Sequence, residues 1–378
     1  MNIAVLGAGL VGKHIALDLS NDKNYHITSI DINSTNLEFL KKQNIKTLLC
    51  DVSDSEKLHR ELTNFEIVVN AVPGFLGFNS LIEIIKCGKN VVDIAFYDND
   101  PFELRDLAIS KNVTAIVDCG VSPGLSNLLI GYAASLLDEL KTVKIYVGGL
   151  PENKDGLYDY KAVFSPTDVL EEYTRPARVI ENGSQIVKPP LSEIEKIEFD
   201  RIGVLEAFNS DGLRTLLKTV NSENMVEKTL RYPGHANKIK LLSDSGFLDK
   251  KEILVKGVKV SPFYFTAEML KRKWKFIESD YDITVLRVLV EGSKDGHRIK
   301  YQFDLFDDYD KKNNVHSMAR TTGYTASTFV RMMANDMFQK RGVFPPEFFG
   351  TNSQIKSYII QGLESKGIIV QEKKIALN

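Results

Sequence analysis

Short apolar runs alternate with helical patterns over the first 120 residues. Residues 3–6, 27–31, 47–50, 67–71, 90–93 and 115–118 are rich in Val and Ile and read as continuous runs. That is the pattern of parallel strands buried on both faces. Between them, residues 37–43, 55–62 and 80–87 carry apolar side chains at helical spacing. Strand–helix alternation of this kind predicts a doubly wound parallel α/β sheet. A further helix is predicted over 123–137, with Leu125, Leu128, Leu129, Tyr132, Leu136 and Leu137 on one face. Ser122 stands at its N-cap position and Pro123 at its first turn.

From Thr142 the texture changes: strands alternate more strictly, as over 143–147, and Gly, Pro and Asn turns become frequent. Residues 283–291, the glycine-containing stretch 292–296 and residues 298–306 predict a hairpin. The tail reads as a helix over 325–339, a break at Pro345-Pro346, an amphipathic helix over 353–364 and a short strand over 368–371. The expected division is a first domain over 1–122, a mixed α+β second domain over 123–318, and a tail over 319–378. Internal repeats and low-complexity segments are absent from the sequence.

Length supports two domains, since 378 residues exceed the roughly 100–200 of a single one. Lys plus Arg is 48 and Asp plus Glu is 50, with no basic stripe. Nothing in that balance calls for nucleic acid or an anionic membrane as a partner. Cys50, Cys87 and Cys119 are widely spaced and odd in number, which points to reduced thiols. No apolar run reaches the ~18 residues of a membrane span. Met1-Asn2-Ile3-Ala4-Val5-Leu6 has no basic region ahead of it, so it reads as a strand and the expected location is the cytoplasm. The six histidines show no metal-ligand spacing, and no metal is expected.

Gly7-Ala8-Gly9-Leu10-Val11-Gly12 follows the first strand and opens a helix. A GxGxxG run in that context is a dinucleotide fingerprint. Gly7 permits the tight turn, Gly9 lets the backbone approach a pyrophosphate, and Gly12 allows close helix packing. Asp31 ends the second strand about 20 residues on, where its carboxylate meets both ribose hydroxyls. The same charge repels a 2′-phosphate, and Ile32 and Asn33 bring no cation. The expected cofactor is therefore NAD. Asp51, at the third strand's end, reads either as an adenine contact or as a helix cap. Asn70-Ala71-Val72-Pro73 ends the fourth strand beside the expected crevice.

Longer motifs follow. Asp118-Cys119-Gly120-Val121-Ser122-Pro123-Gly124-Leu125-Ser126-Asn127 resembles the segment after the Rossmann half in the saccharopine dehydrogenase-like family. Gly148-Gly149-Leu150-Pro151 is similar to that family's next marker. Phe164-Ser165-Pro166, Glu171-Glu172-Tyr173-Thr174-Arg175-Pro176-Ala177-Arg178 and Thr229-Leu230-Arg231-Tyr232-Pro233-Gly234-His235 resemble its L-lysine 6-dehydrogenase branch. Ala319-Arg320-Thr321-Thr322-Gly323-Tyr324 extends the resemblance toward the last helices. The resemblance implies a Rossmann domain, an inserted substrate domain, a tail rejoining the first domain, and a homodimer formed through the second. It also implies NAD-dependent oxidative deamination of the lysine ε-amine. The alternatives are a saccharopine-type dehydrogenase, whose substrates carry two or three carboxylates, and a non-catalytic NAD-sensing regulator.

An amine must be neutral before hydride can leave the carbon beside it, and free lysine has a pKa of about 10.4. A base or a desolvating pocket is needed. Asp93 and Asp118 end late strands and Tyr97 follows Asp93. Asp93 is a candidate to hold or deprotonate the amine, with Tyr97 as relay; both aspartates also suit turn caps. Cys119 reads as a small buried residue. The substrate's α-carboxylate calls for an arginine fork. Arg175, Arg178 and Arg231 lie in the family-like segments, and each also suits a salt bridge, for example to Glu171 or Glu172. His235 and Tyr173 complete the candidates.

Overall fold

A computed structural model describes residues 1–162, 166–277 and 280–377. The chain begins β1 (Asn2–Leu6), α1 (Gly12–Ser20), β2 (His26–Asp31), α2 (Ser34–Lys42), β3 (Lys46–Leu49), α3 (Ser55–Leu62), β4 (Ile67–Asn70), α4 (Gly74–Lys86), β5 (Asn90–Asp93), α5 (Arg105–Ser110), β6 (Thr114–Ile116) and α6 (Leu125–Ser135). It continues β7 (Glu139–Pro151), α7 (Pro166–Thr174), β8 (Ala177–Glu181), β9 (Ser184–Lys188), β10 (Glu195–Phe199), β11 (Gly203–Asn209), α8 (Leu216–Thr219), β12 (Asn224–Arg231) and α9 (His235–Asp244). Then come β13 (Ile253–Val255), β14 (Val258–Val260), α10 (Pro262–Trp274), β15 (Asp282–Lys294) and β16 (His297–Asp308). The tail holds α11 (Ser317–Ala334), β17 (Gly342–Phe344), α12 (Pro346–Gly350), α13 (Ser353–Glu364) and β18 (Val370–Leu377).

The apolar runs of the first 120 residues become one parallel sheet of seven strands, ordered β17-β6-β5-β4-β1-β2-β3. Every residue of β4 is buried, as is β1 from Ile3 onward. The strand order reverses between β1 and β4, which opens a crevice at their carboxyl ends. Register sets Leu6 beside Asn70 and Asn70 beside Asp93, in one row at that edge.

Two compact units emerge. One comprises Met1–Asp138, Arg214–Val220 and Met318–Val370; the other comprises Glu139–Leu213, Asn221–Ser317 and the chain from Gln371. The first unit therefore runs past residue 122, because α6 packs on α12 of the tail. The tail itself divides. β17, which the sequence pattern left as a break, adds a strand beside β6, whereas β18 joins β16 in the second unit's sheet. That second sheet is mixed and nine-stranded, with β12 and β7 parallel and β15 and β16 a long hairpin. Trp274, Tyr160, Tyr173, Phe208 and Phe263 anchor a core within this unit.

Several predicted boundaries move for local reasons. α4 starts at Gly74 rather than 80, because its Gly- and Phe-rich first turns read as loop. α11 runs over Ser317–Ala334 rather than 325–339, since its opening turns bury Ser317, Thr321 and Thr325, which carry no apolar periodicity. α6 starts at Leu125, so Ser122 is not its cap. The Ser122–Pro123 peptide is cis, and Gly124 at φ 140° takes the N-cap place. A Cβ on Gly124 would lie 1.9 Å from the Gly120 carbonyl oxygen, so only glycine fits.

Candidate active site

The glycine turn behaves as its spacing requires. Gly7 has φ +92°, and a Cβ there would lie 2.4 Å from the Ala71 carbonyl oxygen. A Cβ on Gly12 would lie 2.0 Å from the Gly7 oxygen, so α1 starts hard against the turn. A Cβ on Gly9 meets nothing within 4 Å, leaving open space above the backbone between exposed Gly9 and Leu10. No side chain caps α1 at Val11, and its first turn has no acidic residue. Its leading N–H groups and dipole suit a pyrophosphate. The residues present thus fit a dinucleotide.

Asp31 stands at the end of β2, half-buried. Its carboxylate accepts from the backbone N–H of Ala8 (2.6 Å) and of Asn33 (2.6 Å), tying the glycine turn to the start of α2. Each carboxylate oxygen keeps a second lone pair for a ligand hydroxyl. Asp51 accepts from the Ser53 N–H (2.9 Å) and hydroxyl (2.7 Å). It does not cap α3; Asp54 does, accepting from the Lys57 N–H at 3.1 Å. Ala71, Val72 and Pro73 carry the chain from β4 across the crevice to α4, whose N-cap is Pro73.

Beside this crevice the structure gathers Asp93, Tyr97 and Asp118. Asp93 is wholly buried at the end of β5. Its carboxylate accepts from the Tyr97 hydroxyl (2.8 Å), the Asn70 side-chain amide (3.0 Å) and the Ala95 N–H (3.0 Å). Burial pushes its pKa up to about 7, helped by the negative charge of Asp118 and held back by the Ala95 and Tyr97 hydrogen bonds and by Arg214. Burial, with Asp93 beside it, pushes the Tyr97 phenol well above its ordinary value. Asp118, just past β6 at φ 57°, pairs with Arg214 through Nε at 2.7 Å. Arg214 Nη1 donates to the Tyr97 carbonyl oxygen. Asn70 Oδ1, Asp118 Oδ2 and Arg214 Nη2 are buried without a hydrogen-bond partner, so donors and acceptors remain for a bound molecule. Cys119 is fully buried with its thiol pushed well up by desolvation, which does not suit a nucleophile.

Three of the remaining candidates meet in one buried chain of hydrogen bonds in the second unit. Arg231 Nε donates to the Tyr173 hydroxyl (3.0 Å), which bonds His235 Nε2 (2.9 Å). His235 Nδ1 lies 2.8 Å from the Tyr158 carbonyl, which can only accept. That assigns the proton to Nδ1 and makes Tyr173 the donor to Nε2. Desolvation and nearby Arg231 depress the His235 pKa to about 3, so the ring is neutral. Arg231 Nη2 pairs with Glu172 at 2.8 Å, and Arg178 forms a two-pronged pair with Asp211. Arg175 donates its backbone N–H to the Glu171 carbonyl at 2.9 Å. Phe164 and Ser165 lie outside the described residues. Among the described residues no group of three or more His, Cys, Asp or Glu is placed to hold a metal ion. No helix among them is long and apolar enough to cross a membrane.

A glycine turn at the switch point of a parallel sheet, two strands away from a buried carboxyl–phenol pair, belongs to oxidoreductases that use a pyridine nucleotide. Profiles for the saccharopine dehydrogenase NADP binding domain and the saccharopine dehydrogenase C-terminal domain match residues 3–116 and 120–368. The chain belongs to the saccharopine dehydrogenase family. The saccharopine dehydrogenase (NADP+, L-glutamate-forming) of Pyricularia oryzae is 25% identical over 457 aligned positions, covering 99% of each chain. That of Schizosaccharomyces pombe is 26% identical over 357, covering 89% of this chain and 75% of its own. Apo saccharopine dehydrogenase (L-Glu forming) from Saccharomyces cerevisiae has the same fold, with TM-score 0.82, 20% identity, and 99% and 100% coverage.

Proposed function

We propose that this protein is an NAD-dependent amino-acid dehydrogenase that oxidatively deaminates the ε-amine of L-lysine. The observation that carries the reading is the pairing of its candidate arginines. Of Arg175, Arg178 and Arg231, Arg178 is matched by Asp211 and Arg231 by Glu172. A substrate with two or three carboxylates needs several cations that are not already neutralised. Lysine brings one carboxylate and its own ammonium groups, which these balanced pairs suit better.

NAD+ supplies the hydride acceptor when bound. The protein's part is proton handling and position. Asp93, with its pKa lifted to about 7, accepts a proton near neutrality, and the Tyr97 hydroxyl at 2.8 Å relays it. With the ε-amine neutral, its lone pair drives hydride from the ε-carbon. Water adds to the resulting iminium and ammonia leaves. The product, 2-aminoadipate 6-semialdehyde, cyclises to piperideine-6-carboxylate. Asp31 supports NAD over NADP, because a 2′-phosphate would bring negative charge against its carboxylate and exposed Ile32 offers no cation.

A second reading, a saccharopine-type dehydrogenase using NADP, is favoured by the activities of the relatives, one of which aligns along 99% of the chain. Steady-state assays crossing NAD+ and NADP+ with L-lysine and saccharopine separate the two. We expect turnover with lysine and NAD+, and at least about tenfold weaker use of NADP+, equivalent to 1.4 kcal/mol. Turnover of saccharopine with NADP+ and none of lysine would establish the second reading. Nucleotide binding without turnover of either substrate would point to a sensor.

A further inference from the structure

Arg214 is separated from Asp118 by 96 positions, yet it closes the buried site of the first unit. It opens a seven-residue excursion, Arg214–Val220, that belongs to the first unit while the chain on both sides belongs to the second. Its side chain is 3% exposed and that of Asp118 is 1%. Both residues hold left-handed backbone, at φ 47° and 57°. Such conformations are costly for residues with a Cβ and persist where the surroundings impose them.

The contacts of the excursion converge on one loop. Tyr97 lies in the stretch after β5, which has no helix or strand of its own up to Asp100. Arg214 Nη1 donates to the Tyr97 carbonyl, and the guanidinium carbon sits 5.0 Å and 4.9 Å from the ring centroids of Phe96 and Tyr97. Lys218, one turn on, pairs with Asp100 at the far end of the same loop. The excursion is itself fixed, since the Thr219 hydroxyl donates to Glu347 at 2.6 Å. A Cβ on Gly77 would lie 2.8 Å from the Tyr97 ring, so α4 packs close against it.

We propose that Arg214 is the positioning residue of this site, a strut that ties Asp118 to the backbone of the Tyr97 loop and thereby sets where Tyr97 and Asp118 stand around Asp93. Arg214 acts through those two side chains. The groups facing Asp93 are Tyr97 on its own loop, Asp118 and Cys119 beyond β6, and Arg214 from the excursion. Asn70 contributes an amide from β4. Arg214 is the one cation among these neighbours, so its removal leaves the Asp93 carboxylate less stabilised and its titration moves to higher pH.

The consequence for turnover rests on the dehydrogenase reading, but the titration does not. Carbon-13 NMR of aspartate-labelled protein without substrate follows the Asp93 carboxyl, assigned as the resonance lost in Asp93→Asn. In Arg214→Met we expect its midpoint to rise, because the one cation among its neighbours is lost. Arg214→Lys should restore most of the shift. With lysine as substrate, Arg214→Met should lower kcat at least tenfold, displace the pH profile upward and leave the KM for NAD within twofold. An unmoved Asp93 titration in folded Arg214→Met overturns the proposal, even if lysine is turned over. A shifted titration with no lysine turnover sustains the strut and counts against the substrate. Should Arg214→Met not fold, Asp118→Asn tests the same geometry. There the Asp93 midpoint should fall, and an unchanged midpoint overturns the proposal.

Discussion

A carboxyl group taken wholly out of water loses the hydration that stabilises its charge, and Asp93 replaces it with three hydrogen bonds and a nearby guanidinium. The replacement is incomplete, so the group titrates at about 7 instead of near 4. The sign follows from proton counting. Between about pH 4 and 7 the folded state holds a proton that the unfolded state has released. The stabilisation due to that proton is full below the unfolded value and is lost as pH rises through 7. Catalysis runs the other way, because the base works only once its proton has left. Wild-type kcat/KM with lysine should therefore climb through pH 7 and continue toward the alkaline range of the amine itself. Asp93→Asn keeps the shape but loses the base. Nucleotide titration should be unchanged, turnover should fall by roughly 10²–10⁴, and the limb near pH 7 should vanish. A variant that keeps both the rate and that limb would move the base to another residue.

At the scale of elements, glycine serves opposite purposes in a helix contact and in an open turn. α12 lies on α6 so closely that a Cβ on Gly350 would come within 2.2 Å of the Leu128 oxygen and 2.5 Å of the Tyr132 nitrogen. Facing it, a Cβ on Gly131 would lie 2.0 Å from the Glu347 oxygen. Backbone meets backbone there and no side chain can yield. Gly350→Ala should cost about 1–3 kcal/mol or more, read as a lower urea midpoint. At Gly9 a Cβ points into open space. Gly9→Ala should leave the urea midpoint unchanged and weaken nucleotide binding at least tenfold. The reverse pattern would mean that Gly9 is a packing residue and the cradle lies elsewhere. The open turn at Gly9 was legible from sequence because its determinants are local: a strand, a turn and a helix within Asn2–Ser20. The grouping of Asp93 with Tyr97 was legible for the same reason, being four residues apart. Arg214 was not, since its partners come from strand ends about a hundred residues earlier and no periodicity marks it. The salt bridge of Arg231 to Glu172 was among the sequence's alternatives, but its bond to Tyr173 was not, being set by β12 and α7 packing.

At the scale of the whole chain, the nucleotide-binding unit is not a contiguous piece of sequence. Its sheet ends on β17, which pairs with β6 at Gly342–Phe344. Its helical face is completed by α11, α12 and α13, which bury Phe329, Met332, Phe349, Ile359 and Leu363. Phe349 in turn packs on Phe329 and Phe338, with ring centroids 5.7 and 4.8 Å apart. On the amino-terminal side, Leu125, Leu128, Leu129 and Ile130 of α6 are at most 1% exposed. A fragment of Met1–Asp138 would keep every residue of the glycine turn and lose these partners. It would present β6 as an unpaired edge and α6 as a bare apolar face, the two features that favour association over folding. Such a fragment should be poorly soluble or bind a hydrophobic dye, unfold without a sharp transition, and fail to bind nucleotide. The intact protein should unfold cooperatively and bind it. The opposite result, a soluble 1–138 fragment with a steep urea transition and nucleotide affinity near that of the whole chain, would show that the first six strands and their helices are self-sufficient and that the tail is a dispensable addition.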